Sequence, residues 1–508
     1  MMRTQKSILN TSVAFGAQII FIMLGFLSRR VLIYSVGIQY LGINGLMTNI
    51  LTVFSLAEAG IGVAIGYSLY KPLAEKNIEK IKSYMRFYRN TYRILAIFTI
   101  VIGSCFYPFL PYFLTGNTAP DVDIIYFLFL GSAACSYLWS YKVTLNNSDQ
   151  NSYLYTIANT ITQILVLIIK ILILYITENY ILYLTIEISS TLIKNLIFTK
   201  FVDKRYPYLA DDLVKPLEKS EKQTLFHNIK ALFIGKFGYV ISQCSDNLVI
   251  SSMISITTVG LYSNYTTLIS AVSGFVTTFS NGVIASMGNL IASESKEKAY
   301  EVYRKIDFIN GWLYTFTSVC LLCLIEPFIQ IWLGAEYILS KSLLIIIVLS
   351  YYLRGINSGI DIVKSAAGLF YPDRYIPVLE ALLNLGLSIY LAQTYGLEGI
   401  LFATLISFIF FSFWIKPFLV YKYIFEISFI QYIVFEGKKI VIFFIIAGIT
   451  YYAQSFIHAD SWLWDIMLKI IVSSILSNLL LVIFFFRNPE FSYIMVLLRK
   501  VRNKLVYK

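Results

Sequence analysis

Apolar stretches of about 20 residues or longer recur along this chain, and they restrict it to one fold class. A membrane-crossing helix needs about 20 such residues, whereas a membrane β-strand needs about 10 that alternate in polarity, which excludes a β-barrel. Charged residues fill only 14% of the 508 positions, against about 25% in soluble domains. Mean hydropathy is +0.70. The sequence reads as an all-α polytopic membrane protein.

Hydropathy and turn residues divide it into about fourteen spans. Their limits fall near 8–34, 40–70, 92–114, 122–146, 152–177, 179–202, 227–253, 258–292, 306–332, 341–368, 376–394, 397–424, 438–457 and 465–487. Loop charge then gives the direction of each. Lys71, Lys76, Lys80, Lys82, Arg86 and Arg89 follow the second span, and Lys204, Arg205, Lys215, Lys219 and Lys222 follow the sixth. Lys296, Lys298, Arg304 and Lys305 follow the eighth, and Arg499, Lys500, Arg502, Lys504 and Lys508 close the chain. Apart from Lys341, the intervening loops carry almost no charge. Cytoplasmic loops collect lysine and arginine, so this parity predicts both termini in the cytoplasm. The net charge of +12 has the same origin and gives no reason to expect a nucleic-acid partner. Arg3 and Lys6 precede a long apolar run with no cleavage signal, as expected of a first spanning helix.

A shift of 218 residues sets Leu41-Gly42 on Val259-Gly260, Glu79-Lys80 on Glu297-Lys298 and Arg86 on Arg304. It carries the first two spans onto the seventh and eighth, an offset of six helices, which predicts parallel repeats related by an axis along the membrane normal. The expected organisation is a six-helix lobe over 1–202, a cytoplasmic linker over 203–226 and a second six-helix lobe over 227–424. An appended pair of spans and a basic tail fill 425–508.

Charges inside the spans are the functional candidates, because each costs between about 3 and 15 kcal/mol unless it meets a partner or a water-filled cavity. Arg29 and Arg30 lie in the outer half of the first span. Adjacent helical residues point about 100° apart, so one is expected in a cavity and the other at an acidic neighbour or the interface. Arg354 has no carboxylate at helical spacing. Together with Lys236 and Lys364 these form the predicted cavity set. Glu58, Asp246 and Asp361 are candidates for proton or sodium coupling, or for pairing with a cation. Alternative readings are that Lys170, Lys236 and Lys364 snorkel and that Asp361 neutralises Lys364 three residues on. Lys194 and Lys416 snorkel near span ends, and Glu187 has no role beyond a structural hydrogen bond. The five cysteines lie in apolar segments and only His227 and His458 are present, so neither a metal site nor a cofactor is expected.

Several runs resemble one family. They are Ala57-Glu58-Ala59-Gly60-Ile61-Gly62 with Leu69-Tyr70-Lys71-Pro72-Leu73-Ala74, and Ser245-Asp246-Asn247-Leu248-Val249-Ile250-Ser251 with Val259-Gly260-Leu261-Tyr262-Ser263-Asn264-Tyr265. Gly368-Leu369-Phe370-Tyr371-Pro372-Asp373 and the segment Glu380 to Ser388, with Asn384, complete the set. In order and spacing they are similar to the oligosaccharide-repeat-unit flippases of the multidrug/oligosaccharidyl-lipid/polysaccharide exporter superfamily. The resemblance implies two six-helix lobes around a central cavity, alternating access, and location in the bacterial plasma membrane. Its implied substrate is an undecaprenyl-pyrophosphate-linked oligosaccharide for capsule or O-antigen synthesis, and its implied associates include the polymerase of that pathway. Arginine suits a pyrophosphate, since its planar fork donates two parallel hydrogen bonds and stays charged. A cation-coupled multidrug exporter of the same superfamily is the alternative. An enzyme is not expected, because the outer loops run to about eight residues on these limits and leave little room for a catalytic domain.

Overall fold

The computed structural model describes residues 3–59, 61–116, 119–149, 151–210, 215–369, 372–459, 461–493 and 495–496. Gly60, Phe370 and Tyr371 of the quoted motifs lie outside them. The regular elements among the described residues are helical. They run α1 (Arg3–Val36), α2 (Ile38–Phe54), α3 (Leu56–Ala59), α4 (Ile61–Ala74), α5 (Ile78–Phe106), α6 (Val122–Ser148), α7 (Ser152–Thr177) and α8 (Tyr180–Arg205). There follow α9 (Lys219–Met253), α10 (Ile256–Ser293), α11 (Lys296–Trp332), α12 (Lys341–Ala367), α13 (Ile376–Phe410), α14 (Ser412–Val420), α15 (Ile430–Gln454) and α16 (Trp462–Phe485). Among the described residues, 9 helical stretches are long and apolar enough to cross a membrane.

The solvent of these helices is legible in their surfaces. On α7, Ile161, Leu165, Ile168, Leu172 and Ile176 form an exposed stripe at helical spacing, while the opposite face buries Thr160, Leu167, Lys170 and Leu174. Apolar outside and polar inside is the reverse of a water-soluble helix and fits a lipid surround. The chain is a multi-pass membrane protein. Short polar caps start several helices: Asn77, Asn179, Ser295 and Ser340 each accept the backbone N–H three residues on.

The chain divides into two units, Met1–Ser263 and Asn264–Lys508, with the boundary inside α10. The sequence places its linker earlier, at 203–226. The helix after that linker, α9, packs on α2, α3 and α4 of the first unit. In that unit α1 also lies on α7, and α5, α6 and α8 form a contiguous layer with α7. In the second unit α11 packs on α12, α15 and α16, and α12 lies against α13 and α14.

The second predicted span, 40–70, is not one helix. It breaks at Ser55 and again beyond Ala59, leaving α3 as a single turn that carries Glu58. Thr48, Thr52 and Ser55 each turn their hydroxyl back onto a carbonyl three or four residues earlier, at 2.7–2.9 Å. Such back-bonding competes with the helical ladder and bends it. By contrast, the expected gap between 376–394 and 397–424 falls on a backbone break: Gly396, at φ 56° and ψ −131°, interrupts α13.

One crossing in the first unit has a reciprocal form. A Cβ on Gly42 of α2 would sit 2.0 Å from the Ile256 carbonyl oxygen, and a Cβ on Gly260 of α10 would sit 2.7 Å from that of Ile38. The 218-residue shift carries Ile38 to Ile256 and Gly42 to Gly260. Each glycine of this crossing thus meets the carbonyl that stands four residues before the other.

A cationic cavity in the first unit

Three helix ends bring charge to one level. Arg29 lies seven residues before the end of α1 at Val36, Lys170 seven before the end of α7 at Thr177, and Glu187 seven after the start of α8 at Tyr180. At 1.5 Å per residue each is about 10 Å from its helix end. The tight turn between α7 and α8 sets Lys170 and Glu187 at equal distance from its centre, and the two meet: Lys170 Nζ donates to Glu187 Oε2 at 2.8 Å. The Lys170 ammonium also sits 4.0 Å above the Tyr183 ring. Tyr183 in turn bonds Ser28 of α1 across 2.9 Å.

These residues line a cavity of about 470 Å³, with Asn44 of α2 and Asn159 and Gln163 of α7 completing its polar wall. Phe21, Leu24, Leu32, Leu41, Val166 and Leu167 supply the apolar wall. The size lies within the range of about 300–1,000 Å³ usual for small-ligand sites. Much of the wall is held in place by bonding outside it. Arg29 donates to Ser263 Oγ at 2.9 Å, and Asn44 donates to the Tyr180 hydroxyl at 3.1 Å. Lys194 donates to Asn159 Oδ1 at 2.6 Å. With Lys170 and Glu187 cancelling, Arg29 leaves the ionisable lining at a net charge of +1.

The other sequence candidates are dispersed. Arg30 is exposed, with its guanidinium 5.6 Å from the Tyr34 ring. Lys170 does not snorkel; it is buried and paired. Asp361 is not neutralised by Lys364, because Lys416 of α14 reaches it at 3.2 Å while Lys364 bonds Asp373. Neither Lys364 nor Lys416 snorkels free of a partner; each ends on a carboxylate of another segment. Arg354 lies 3.5 Å from Glu380 of α13 and 4.6 Å above the Phe408 ring, and the Glu380 carboxylate also accepts from Ser412. Asp246 is buried in α9. Lys236 belongs to α9, but its side chain lies outside the described residues.

Glu58 stands apart from the cavity, at the break between α2 and α4. Tyr92 of α5 donates to its Oε1 at 2.9 Å, Tyr88 donates to Tyr92 at 3.1 Å, and Thr144 of α6 lies 3.3 Å from Tyr88. The result is a chain of hydroxyls running from one carboxylate into the buried layer of α5 and α6. The intramembrane charge pattern marks Glu58 but carries no sign of the tyrosines, which sit four residues apart on one face of α5.

No family model and no curated protein matches the chain. Solved structures do share its fold. The lipid II flippase MurJ, in an inward closed conformation, matches with a TM-score of 0.65 at 15% identity, over 94% of this chain and 99% of that one. A MATE transporter of Vibrio cholerae, VcmN, matches with a TM-score of 0.59 at 15% identity, over 84% and 99%. A MOP superfamily transporter of Pyrococcus furiosus matches with a TM-score of 0.54 at 12% identity, over 80% and 91%.

Proposed function

We propose that the protein is a flippase that carries undecaprenyl-pyrophosphate-linked oligosaccharides across the bacterial plasma membrane by alternating access, for surface polysaccharide synthesis. The observation that carries this reading is the cavity of the first unit. Its ionisable lining sums to +1, through a residue able to hold phosphate bidentately. Around that charge stand the amides and hydroxyls of Ser28, Asn44, Asn159, Gln163 and Tyr183, which suit sugar hydroxyls. The fold shared with a lipid II flippase supports a transporter of this kind.

Under this reading there are fourteen spans, both ends are cytoplasmic, and the cavity opens in the outer half of its lobe. The reciprocal contact of Gly42 and Gly260 supports the two-repeat organisation. Arg29 is the first ligand for the pyrophosphate, and Lys170 the second, exchanging Glu187 for substrate. Arg354 and Lys364 are assigned to ion pairs within their lobe. Glu58, with its tyrosine chain, is the leading candidate for proton coupling, ahead of Asp246 and Asp361. A drug exporter that takes organic cations fits a net cationic lining poorly.

Arg29→Glu reverses the lining to −1 and should abolish surface polymer in a strain that depends on this protein. Quantitative immunoblotting should show unchanged abundance in the membrane. Normal polymer at normal abundance overturns the assignment.

A further inference from the structure

One charged cluster has no part in the transport reading. In the second unit Asp307 of α11 and Glu436 and Lys439 of α15 are all buried, with exposures of 0%, 1% and 5%. Lys439 Nζ donates to Asp307 Oδ2 at 2.8 Å and lies 2.5 Å from Glu436 Oε1. The titratable groups packed around them are tyrosines: Tyr303 of α11, Tyr352 of α12, Tyr421 just after α14 and Tyr432 of α15. Further out, Arg304 stacks on Phe435 and is engaged by Glu490 at 2.8 Å, while Asp361 is engaged by Lys416. The α16 side contributes Leu481 and Phe485, which are apolar.

Two carboxylates against one ammonium sum to −1 when all three are ionised. A buried charge without compensation is strongly unfavourable, and the ordinary escape is to take up a proton. The geometry says which group takes it. Asp307 receives the lysine's hydrogen bond, as an ionised carboxylate should. Glu436 Oε1 meets the same ammonium only as an ion contact, outside hydrogen-bond geometry; its Oε2, like Asp307 Oδ1, has no hydrogen-bond partner among the described residues, and the hydroxyls of Tyr303 and Tyr421 are likewise buried without an acceptor. We infer that Asp307, Glu436 and Lys439 form a proton-binding site between α11 and α15, occupied through the carboxyl group of Glu436. On binding, the Glu436 carboxylate takes one proton from water and the cluster passes from −1 to neutral; on release the proton returns to water. Release leaves an unbalanced charge between the two helices, so occupancy is linked to how firmly α15 seats on α11.

Infrared spectroscopy of the full-length protein in proteoliposomes tests this directly. The wild type should show the C=O stretch of a buried, protonated carboxyl group at neutral pH, and isotope-labelled glutamate should shift it. Glu436→Gln, which keeps the shape, should remove the band. Asp307→Asn should remove it too, because Glu436 and Lys439 then balance one to one without a proton. A band that survives Glu436→Gln, ignores the glutamate label or persists in Asp307→Asn overturns the site.

Discussion

Lys439→Met should destabilise the protein by about 3–5 kcal/mol, the range found when one member of a buried ion pair is removed. The substitution keeps the apolar stem but leaves Asp307 and Glu436 facing each other with no cation, both almost wholly buried. Thermal unfolding in detergent is the measurement, with monodispersity as a second reading. Adding Asp307→Asn and Glu436→Gln to the same chain should restore most of the loss, because the remaining groups are uncharged. Wild-type stability in the single variant would contradict the described pairing.

Gly42→Val is the second large effect. The added Cβ would meet backbone, at 2.0 Å from the Ile256 carbonyl oxygen and 3.0 Å from its carbon, and backbone cannot rotate aside as a side chain can. Overpacking a tight site costs about 1–3 kcal/mol even where side chains give way. The variant should fail to accumulate in the membrane. Gly260→Val should fail in the same way, since the two contacts are each other's image. Gly131→Val, where nothing lies within 4 Å, is the control. Wild-type accumulation of Gly42→Val would show that the crossing is not close.

Much of this fold was legible because hydropathy and loop charge act over 20 residues at a time, so single misreadings average out. The break at Ser55 was not, because its cause is a run of hydroxyls at 48, 52 and 55 rather than a proline. The pairing of Lys170 with Glu187 could have been read from the sequence. In a tight helical hairpin, residues equidistant from the turn stand level, and Thr177 to Tyr180 is such a turn. Asp307, Glu436 and Lys439 were missed for a different reason. Each falls at or just outside the end of an apolar segment, where a charge is ordinarily taken to reach water. Here α11 and α15 continue well beyond their apolar stretches and bury those ends against each other. Arg354 has no carboxylate at helical spacing in its own helix, and Glu380 reaches it from α13. Local spacing carries no information about partners on another helix.

The proposed role of the cationic cavity in the first unit is to carry the pyrophosphate head of a lipid-linked sugar. It is tested most directly by reconstituting purified protein into proteoliposomes whose inner leaflet holds an undecaprenyl-pyrophosphate-linked oligosaccharide. Arrival in the outer leaflet is read with an impermeant glycosidase. The wild type should move the substrate, and Arg29→Ala should slow it at least about tenfold, equivalent to about 1.4 kcal/mol of lost interaction. Equal rates for the wild type and Arg29→Ala, or no movement above protein-free vesicles, would contradict the account.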